Sequence, residues 1–269
     1  MPTNKDTRPG TPSGTAEPTP PVYQLTIIGG FTDAFHFYPV IVRDSIATIY
    51  LHNNMLEYGH TYYVTIDNGV LNLADGSFQG VTKEDEWIFT TKSDMPELSD
   101  TLIVDVAGKG DFNTVQGALD FIPDFNEQQT VILVNPGDYE ELVYTRNKWN
   151  VKIKGAGMTD TKVHYANNEV FNPHPLTVKT NEWPGTFPSR RAAFMLDNCK
   201  DIVIEDMTIA TDLKGQAEGL LINGERIALY RVHIIGSGDA LQANGTIYME
   251  SCESVSYTHL RAHETCADL

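Results

Sequence analysis

LDNCKDIVIEDMTI (Leu196–Ile209) and LINGERIALYRVHI (Leu221–Ile234) read as two copies of one unit. At an offset of 25 residues, Asn198 meets Asn223, Ile202 meets Ile227 and Ile204 meets Leu229. Met207 then meets Val232, and Ile209 meets Ile234. ANGTIYMESC follows 20 residues later and sets Ile247, Met249 and Cys252 under Ile227, Leu229 and Val232. Each copy alternates apolar and polar residues, turns, and alternates again. One such rung cannot bury its inner face alone, so rungs must stack. A short period made of strands alone predicts a parallel β-helix rather than a β-sandwich with accidental similarity.

Working outward, TLIVDV (from Thr101) predicts a strand, and DFNTVQGALDFIP predicts a helix over 114–122. Val115, Ala118, Leu119 and Ile122 fall at i, i+3, i+4 and i+7. Asn113 or Thr114 can cap its start, and Pro123 stops it. Such a helix would cover the open N-terminal end of the coil. TVILVN and NVKIKG continue the strands. Upstream, residues 22–93 hold short β-branched and aromatic runs separated by turns such as Asp67–Gly69, the pattern of an antiparallel sandwich. LEYGHTYYVTIDNGVLNLADGSF followed by WIFTTK resembles the later strands of a bacterial Ig-like domain of the surface-layer type, so a partial Ig-like β-sandwich is expected there. Residues 1–21, rich in Pro and Thr, read as a disordered leader, and 94–100 as a polar linker. The fold class expected is all-β: a right-handed parallel β-helix over 101–254 with an N-terminal cap helix.

Composition narrows the function. The chain has 269 residues, 19 basic and 36 acidic, for a net charge of -17. That acidity repels phosphate backbones and argues against nucleic acid as a partner. No apolar run reaches the ~18 residues of a membrane helix. Three cysteines do not make a disulfide scaffold, and MPTNKDTRPGTPSG has no apolar core of a signal peptide.

Four stretches carry a family resemblance. VDVAGKGDFNTVQGALDFIP, VILVNPGDYEELV, NVKIKGAGMTDTKV and GQAEGLLINGERIALYRVHIIGSGDAL occur in this order between Ile103 and Cys252. Together they resemble the pectin methylesterases (pectinesterases). The resemblance implies hydrolysis of galacturonate methyl esters in pectin (homogalacturonan) to pectate and methanol, by a monomer that needs no cofactor and no metal. It implies that Asp239 is a general acid/base and that Gln216 donates to the oxyanion. The family's second oxyanion glutamine precedes that aspartate, where this chain has Gly238; Gln242 is a candidate replacement. The nucleophilic aspartate and an arginine would follow Asp239. Two nearby carboxylates suit such chemistry because mutual repulsion keeps one protonated while the other is ionised. A substrate in cell walls implies an extracellular or cell-surface protein.

Other polar residues read as structural. Asn198 and Asn223 suit a stacked asparagine ladder, Tyr139 suits rung packing, and His164 and His174 lack metal-ligand spacing. A polygalacturonate lyase would want an acidic calcium cluster, and a glycoside hydrolase a group of carboxylates. Asp239 alone stands out, which disfavours both. A non-catalytic carbohydrate-binding or adhesion β-helix is the remaining alternative. Finally, VSYTHLRAHETCADL (255–269) departs from the rung pattern, and its first eleven residues match one frame of a transposase-type sequencing adapter. It is expected to be non-native, leaving the β-helix short of half its dyad and the chain inactive.

Overall fold

The computed structural model describes residues 24–28, 31–35, 40–43, 46–49, 56–71, 76, 78–97, 99–172 and 190–257. The expected leader, His174 and residues 258–269 of the expected tail lie outside the described residues.

Among the described residues of the first hundred, the strands form three separate antiparallel pairs. These are β1 (Gln24–Ile28) with β2 (Phe31–Phe35), β3 (Val40–Arg43) with β4 (Ile46–Ile49), and β5 (Thr61–Tyr63) with β6 (Ile88–Thr90). Leu51–Glu97 is a compact unit of its own. Tyr62 and Phe89 stack across its β5–β6 pair at 5.6 Å, and Ile66 bridges Val81. The β3–β4 hairpin belongs instead with the larger unit, where Arg43 pairs with Glu140.

From Thr101 onward the larger unit is a parallel β-helix. It comprises β7 (Thr101–Val104), α1 (Val115–Phe121), β8 (Thr130–Val134), β9 (Gly137–Glu140), β10 (Val143–Arg146) and β11 (Trp149–Lys154). It continues through β12 (Thr161–Tyr165), β13 (Phe194–Thr211), β14 (Leu220–Gly236), β15 (Leu241–Glu250) and β16 (Glu253–Ser256). One face runs β7-β8-β11-β13-β14-β15, every neighbour parallel. β13 is long enough to serve three faces, pairing in turn with β10, β11 and β12. Inward apolar residues then stack in columns. Ile132, Ile153, Ile204 and Leu229 lie one above another and are fully buried. Burying each such side chain is worth about 1.5–3 kcal/mol.

The repeat register holds where the apolar positions set it: Ile202, Ile204, Met207 and Ile209 pair with Ile227, Leu229, Val232 and Ile234. Ile227 and Leu229 pair with Ile247 and Met249. The asparagines differ from expectation. A bulge between Asp197 and Cys199 pairs Asp197 with Asn223 and Cys199 with Gly224. Asn198 is the extra residue, in the left-handed region at φ 50°. A bulge inserts one residue into one strand only, so a constant offset misplaces it. The ladder therefore splits into two rungs. Asn198 donates to Asn147 at 2.6 Å, and Asn244 donates to Asn223 at 2.9 Å.

Corners of the coil are made by residues with positive φ. Asn150, Asp201 and Arg226 occupy one column, Asp206 and Arg231 another. Asn and Asp tolerate that conformation best among residues with a Cβ. Arg226 grips Asp201 through two nitrogens at 2.6 Å, and Arg231 grips Asp206 at 2.5 and 3.0 Å.

The cap helix forms one residue later than its predicted start. Thr114 is its N-cap, accepting from the Gly117 amide at 3.1 Å. Glu141, arriving from the turn after β9, accepts from the Val115 and Gln116 amides at 2.8 Å each. At the other end Lys148 donates to the Ile122 carbonyl at 2.6 Å and to Asp124 at 2.7 Å. Val115, Ala118, Leu119 and Ile122 join the main core. Tyr139 is buried, its hydroxyl donating to the Asn135 carbonyl at 2.8 Å. His164 lies between Asp212 at 2.6 Å and Asp138 at 3.0 Å. At the far end β16 reaches Ser256, two residues beyond the boundary expected at 254, pairing with β14.

Candidate active site

Two backbone segments build the site: residues 212–219, which lead into β14, and 236–240, which turn from β14 into β15. Three hydrogen bonds lace them together. Ser237 donates its amide to the Ala217 carbonyl at 2.9 Å, the Gly215 amide donates to Ser237 Oγ at 3.0 Å, and the Gly219 amide donates to the Ala240 carbonyl at 2.9 Å. The turn is so tight that a Cβ on Gly236 would lie 1.9 Å from the Asp239 carbonyl oxygen. Only glycine permits that approach. Asp239 is thereby held on an exposed turn beside the loop that carries Gln216.

Gln216 is brought against Gly238, the neighbour of Asp239 in the chain. A Cβ at Gly238 would lie 3.1 Å from Gln216 Oε1, so the glutamine side chain rests against the residue preceding Asp239. Both residues are exposed. Gln242, the second residue of β15, is half-buried. Its Oε1 accepts from Arg191 Nη2 at 3.2 Å, which leaves its Nε2 hydrogens to donate elsewhere.

Arg191 leads to a carboxylate that the sequence reading did not single out. Its Nε donates to Glu218 Oε1 at 2.5 Å, and its Nη1 lies 3.9 Å from Glu169 Oε2. The Glu218 side chain has no solvent exposure, and its Oε2 has no hydrogen-bond partner among the described residues. Because Gly219 bonds Ala240, Glu218 and Asp239 precede adjacent positions on successive rungs. Burial pushes the Glu218 carboxyl up to about 7; Arg191 opposes the rise and the charge of Asp239 adds to it. A signal for Glu218 did exist. It stands alone as an acid in AEGLLI, and its distance to Asp239 equals that of the paired Leu220 and Leu241.

The group can polarise a carbonyl with side-chain amides and move a proton at a carboxyl. Among the described residues, no three His, Cys, Asp or Glu side chains are grouped to hold a metal ion, and no helix is long and apolar enough to cross a membrane.

The Pectinesterase family model matches residues 101–254, more than half of the chain. Pectinesterase QRT1 of Arabidopsis thaliana is 28% identical over 185 residues, covering 64% of this chain and 47% of that protein. Pectinesterase 31 of the same plant is 29% identical over 150 residues, 54% of this chain and 46% of its own length. Among solved structures, pectin methylesterase from carrot aligns at 20% identity with a TM-score of 0.46, over 59% of this chain and 47% of that one. The chain thus spans less than half the length of these relatives. By the extent of the model match and the four stretches it covers, the chain belongs to the pectinesterase family.

Proposed function

We propose that the protein is a carboxylic ester hydrolase that removes methyl groups from the galacturonate esters of pectin, outside the cell where that polymer lies. The observation that carries this reading is the meeting of Gln216 with the Asp239 turn across Gly238. In this reading the ester carbonyl sits over the two amides, with Gln216 and Gln242 donating to the oxygen as it becomes an oxyanion. Gln242 stands in for the glutamine that Gly238 replaces, its carbonyl end tied back by Arg191. The nucleophilic aspartate that the family resemblance implies adds to the carbonyl carbon and forms an acyl–enzyme bond as the bond to methoxide breaks; Asp239 protonates the departing methoxide, then takes a proton from the water whose oxygen adds to the acyl carbon and breaks the acyl–enzyme bond. Net, water's hydroxyl goes to the acyl carbon and its hydrogen to methanol.

Methanol release from highly esterified pectin tests this directly in a full-length protein that carries this β-helix together with the nucleophilic aspartate. Asp239→Ala should lower the rate by about 10²–10⁴-fold, and Gln216→Ala by about 10²-fold. Both residues are exposed, so neither change should lower Tm appreciably. No release by that full-length protein, or full release by its Asp239→Ala variant, overturns the assignment.

A further inference from the structure

The loop that carries Gln216 lies between strands, and a buried side chain holds it in place. We propose that Asn168 is a positioning residue of this site: its side-chain amide clamps residues 214–216 to the coil, so that Gln216 is already fixed when the oxyanion forms. This rests on the role proposed for Gln216 above and names what holds that residue.

Geometry carries the inference. Residues 212–219 belong to no strand, so individual hydrogen bonds decide where Gln216 sits. The Asp239 turn supplies two of them through Ser237. Residues 168 and 169 supply two more. The Glu169 amide donates to the Gln216 carbonyl at 2.9 Å, and Asn168 Nδ2 donates to the Lys214 carbonyl at 3.1 Å. The support for these bonds is itself rigid. Asn167 is fully buried, its Nδ2 donates to the Arg190 and Ala192 carbonyls at 2.9 and 2.7 Å, and its carbonyl accepts from Thr211 Oγ1 at 2.8 Å. Asn168, 2% exposed, uses both halves of its amide. The Phe171 main-chain amide donates to Oδ1 at 2.7 Å. An N–H only donates, so Oδ1 faces Phe171 and Nδ2 faces Lys214. A carboxylate there would keep the first bond and lose the second. Donors to an oxyanion work by being in place before the charge develops, and groups of this kind depend on the residues that support them. The Glu169 carboxylate also lies 3.9 Å from Arg191, which holds Gln242. One short segment thus braces both candidate oxyanion donors.

Two measurements on Asn168→Asp decide this, with Asn168→Ser as a second variant that keeps a local acceptor for Phe171 but is too short to reach Lys214. The first needs no activity: amide hydrogen exchange of the chain, followed by NMR. The Glu169 and Gly215 amides, which lace the loop, should exchange about 10-fold faster, while the Ile204 amide inside β13 keeps its rate. Unchanged Glu169 and Gly215 amides, or an Ile204 amide accelerated as much, overturn the positioning role. The second is methanol release by a full-length protein that carries this β-helix together with the nucleophilic aspartate. Asn168→Asp should lower kcat by about 10-fold with little change in KM, because a misplaced donor is missed in the transition state. In a Gln216→Ala background the same substitution should cost less than about 2-fold more, since both changes act through one amide. Full kcat in a folded Asn168→Asp protein, or an equal loss with and without Gln216, overturns the inference and leaves the role of Gln216 standing. If Gln216→Ala releases methanol at the parent rate, the role of Gln216 falls and the positioning role falls with it. Failure of both variants to fold would make Asn168 a residue of the core alone and would overturn the inference as well.

Discussion

At the scale of single residues, Gly238 shows how a departure from a family pattern is built into the backbone. A Cβ there would lie 2.8 Å from the Gly215 carbonyl oxygen, a main-chain atom that cannot rotate away, and 3.2 Å from Gln216 Cα. Restoring the family residue with Gly238→Gln should therefore push the 215–216 loop outward. Overpacking of this kind costs about 1–3 kcal/mol, a fall in Tm of several degrees for a chain of this size. Methanol release should not rise, because Gln216 is the residue displaced. A Gly238→Gln protein with unchanged Tm and faster release would show that the loop yields freely. Asp239 and Gln216 were legible only through the order of the four family stretches; taken alone, an aspartate in a Gly-Ser-Gly turn reads as a turn former. Arg191 was not legible at all. It reaches Glu218 across 27 residues of chain, and nothing in the local sequence of either one announces the other.

At the scale of elements, the cap helix is tied to the coil by groups far away in sequence. Its apolar stripe was plain in the sequence because helical spacing is a local property. Glu141 and Lys148, which satisfy its two ends, were not, because their partners are fixed only once the first coil has closed. Glu141 makes the helix sensitive to pH. Burial raises its carboxyl from 4.5 to about 7, against the two amides that favour ionisation. Asp120, on the helix itself, is raised by burial to about 6. A carboxyl raised in the folded state binds its proton more tightly there than in the unfolded chain. Its stabilising contribution is thus complete below about 4.5 and is lost as pH rises through about 7. Asp201 and Asp206 work the other way in a lower window: Arg226 and Arg231 hold them below the ordinary range, so their contribution is lost as pH falls below it. Stability should peak in the mildly acidic range and decline towards neutrality. Glu141→Gln should flatten that decline by on the order of 3 kcal/mol, read as Tm against pH. An equal slope in parent and variant would mean that Glu141 does not titrate in this window.

At the scale of the whole molecule, stability should follow the stack. A β-helix is close to one-dimensional, each rung contacting only its neighbours. The rung period was legible because inward apolar positions repeat wherever rungs superpose; the bulge at Asn198 was hidden because it changes the count without changing the pattern. Burial is uneven along the described rungs. β14 lies between β13 and β15, and its inward Ile227 is 1% exposed. β15 pairs with β14 on one side and alternates half-buried with exposed positions: its Ile247 is half-buried, and Tyr248 and Met249 are 55% and 38% exposed. Ile227 and Ile247 share a register column, so identical truncations there compare one chemistry at two depths. Ile227→Ala should cost about 2–5 kcal/mol, because it removes a fully buried side chain and leaves a cavity. Ile247→Ala should cost roughly half that or less, since part of its surface already meets water and the site can relax. Urea unfolding of the two variants measures the difference, and amide exchange should show the same gradient, with slower exchange in β13 and β14 than in β15. Equal costs at the two positions would mean that the face of β15 is as deeply buried in solution as that of β14, and the one-dimensional account of this molecule would fail at its last described rung.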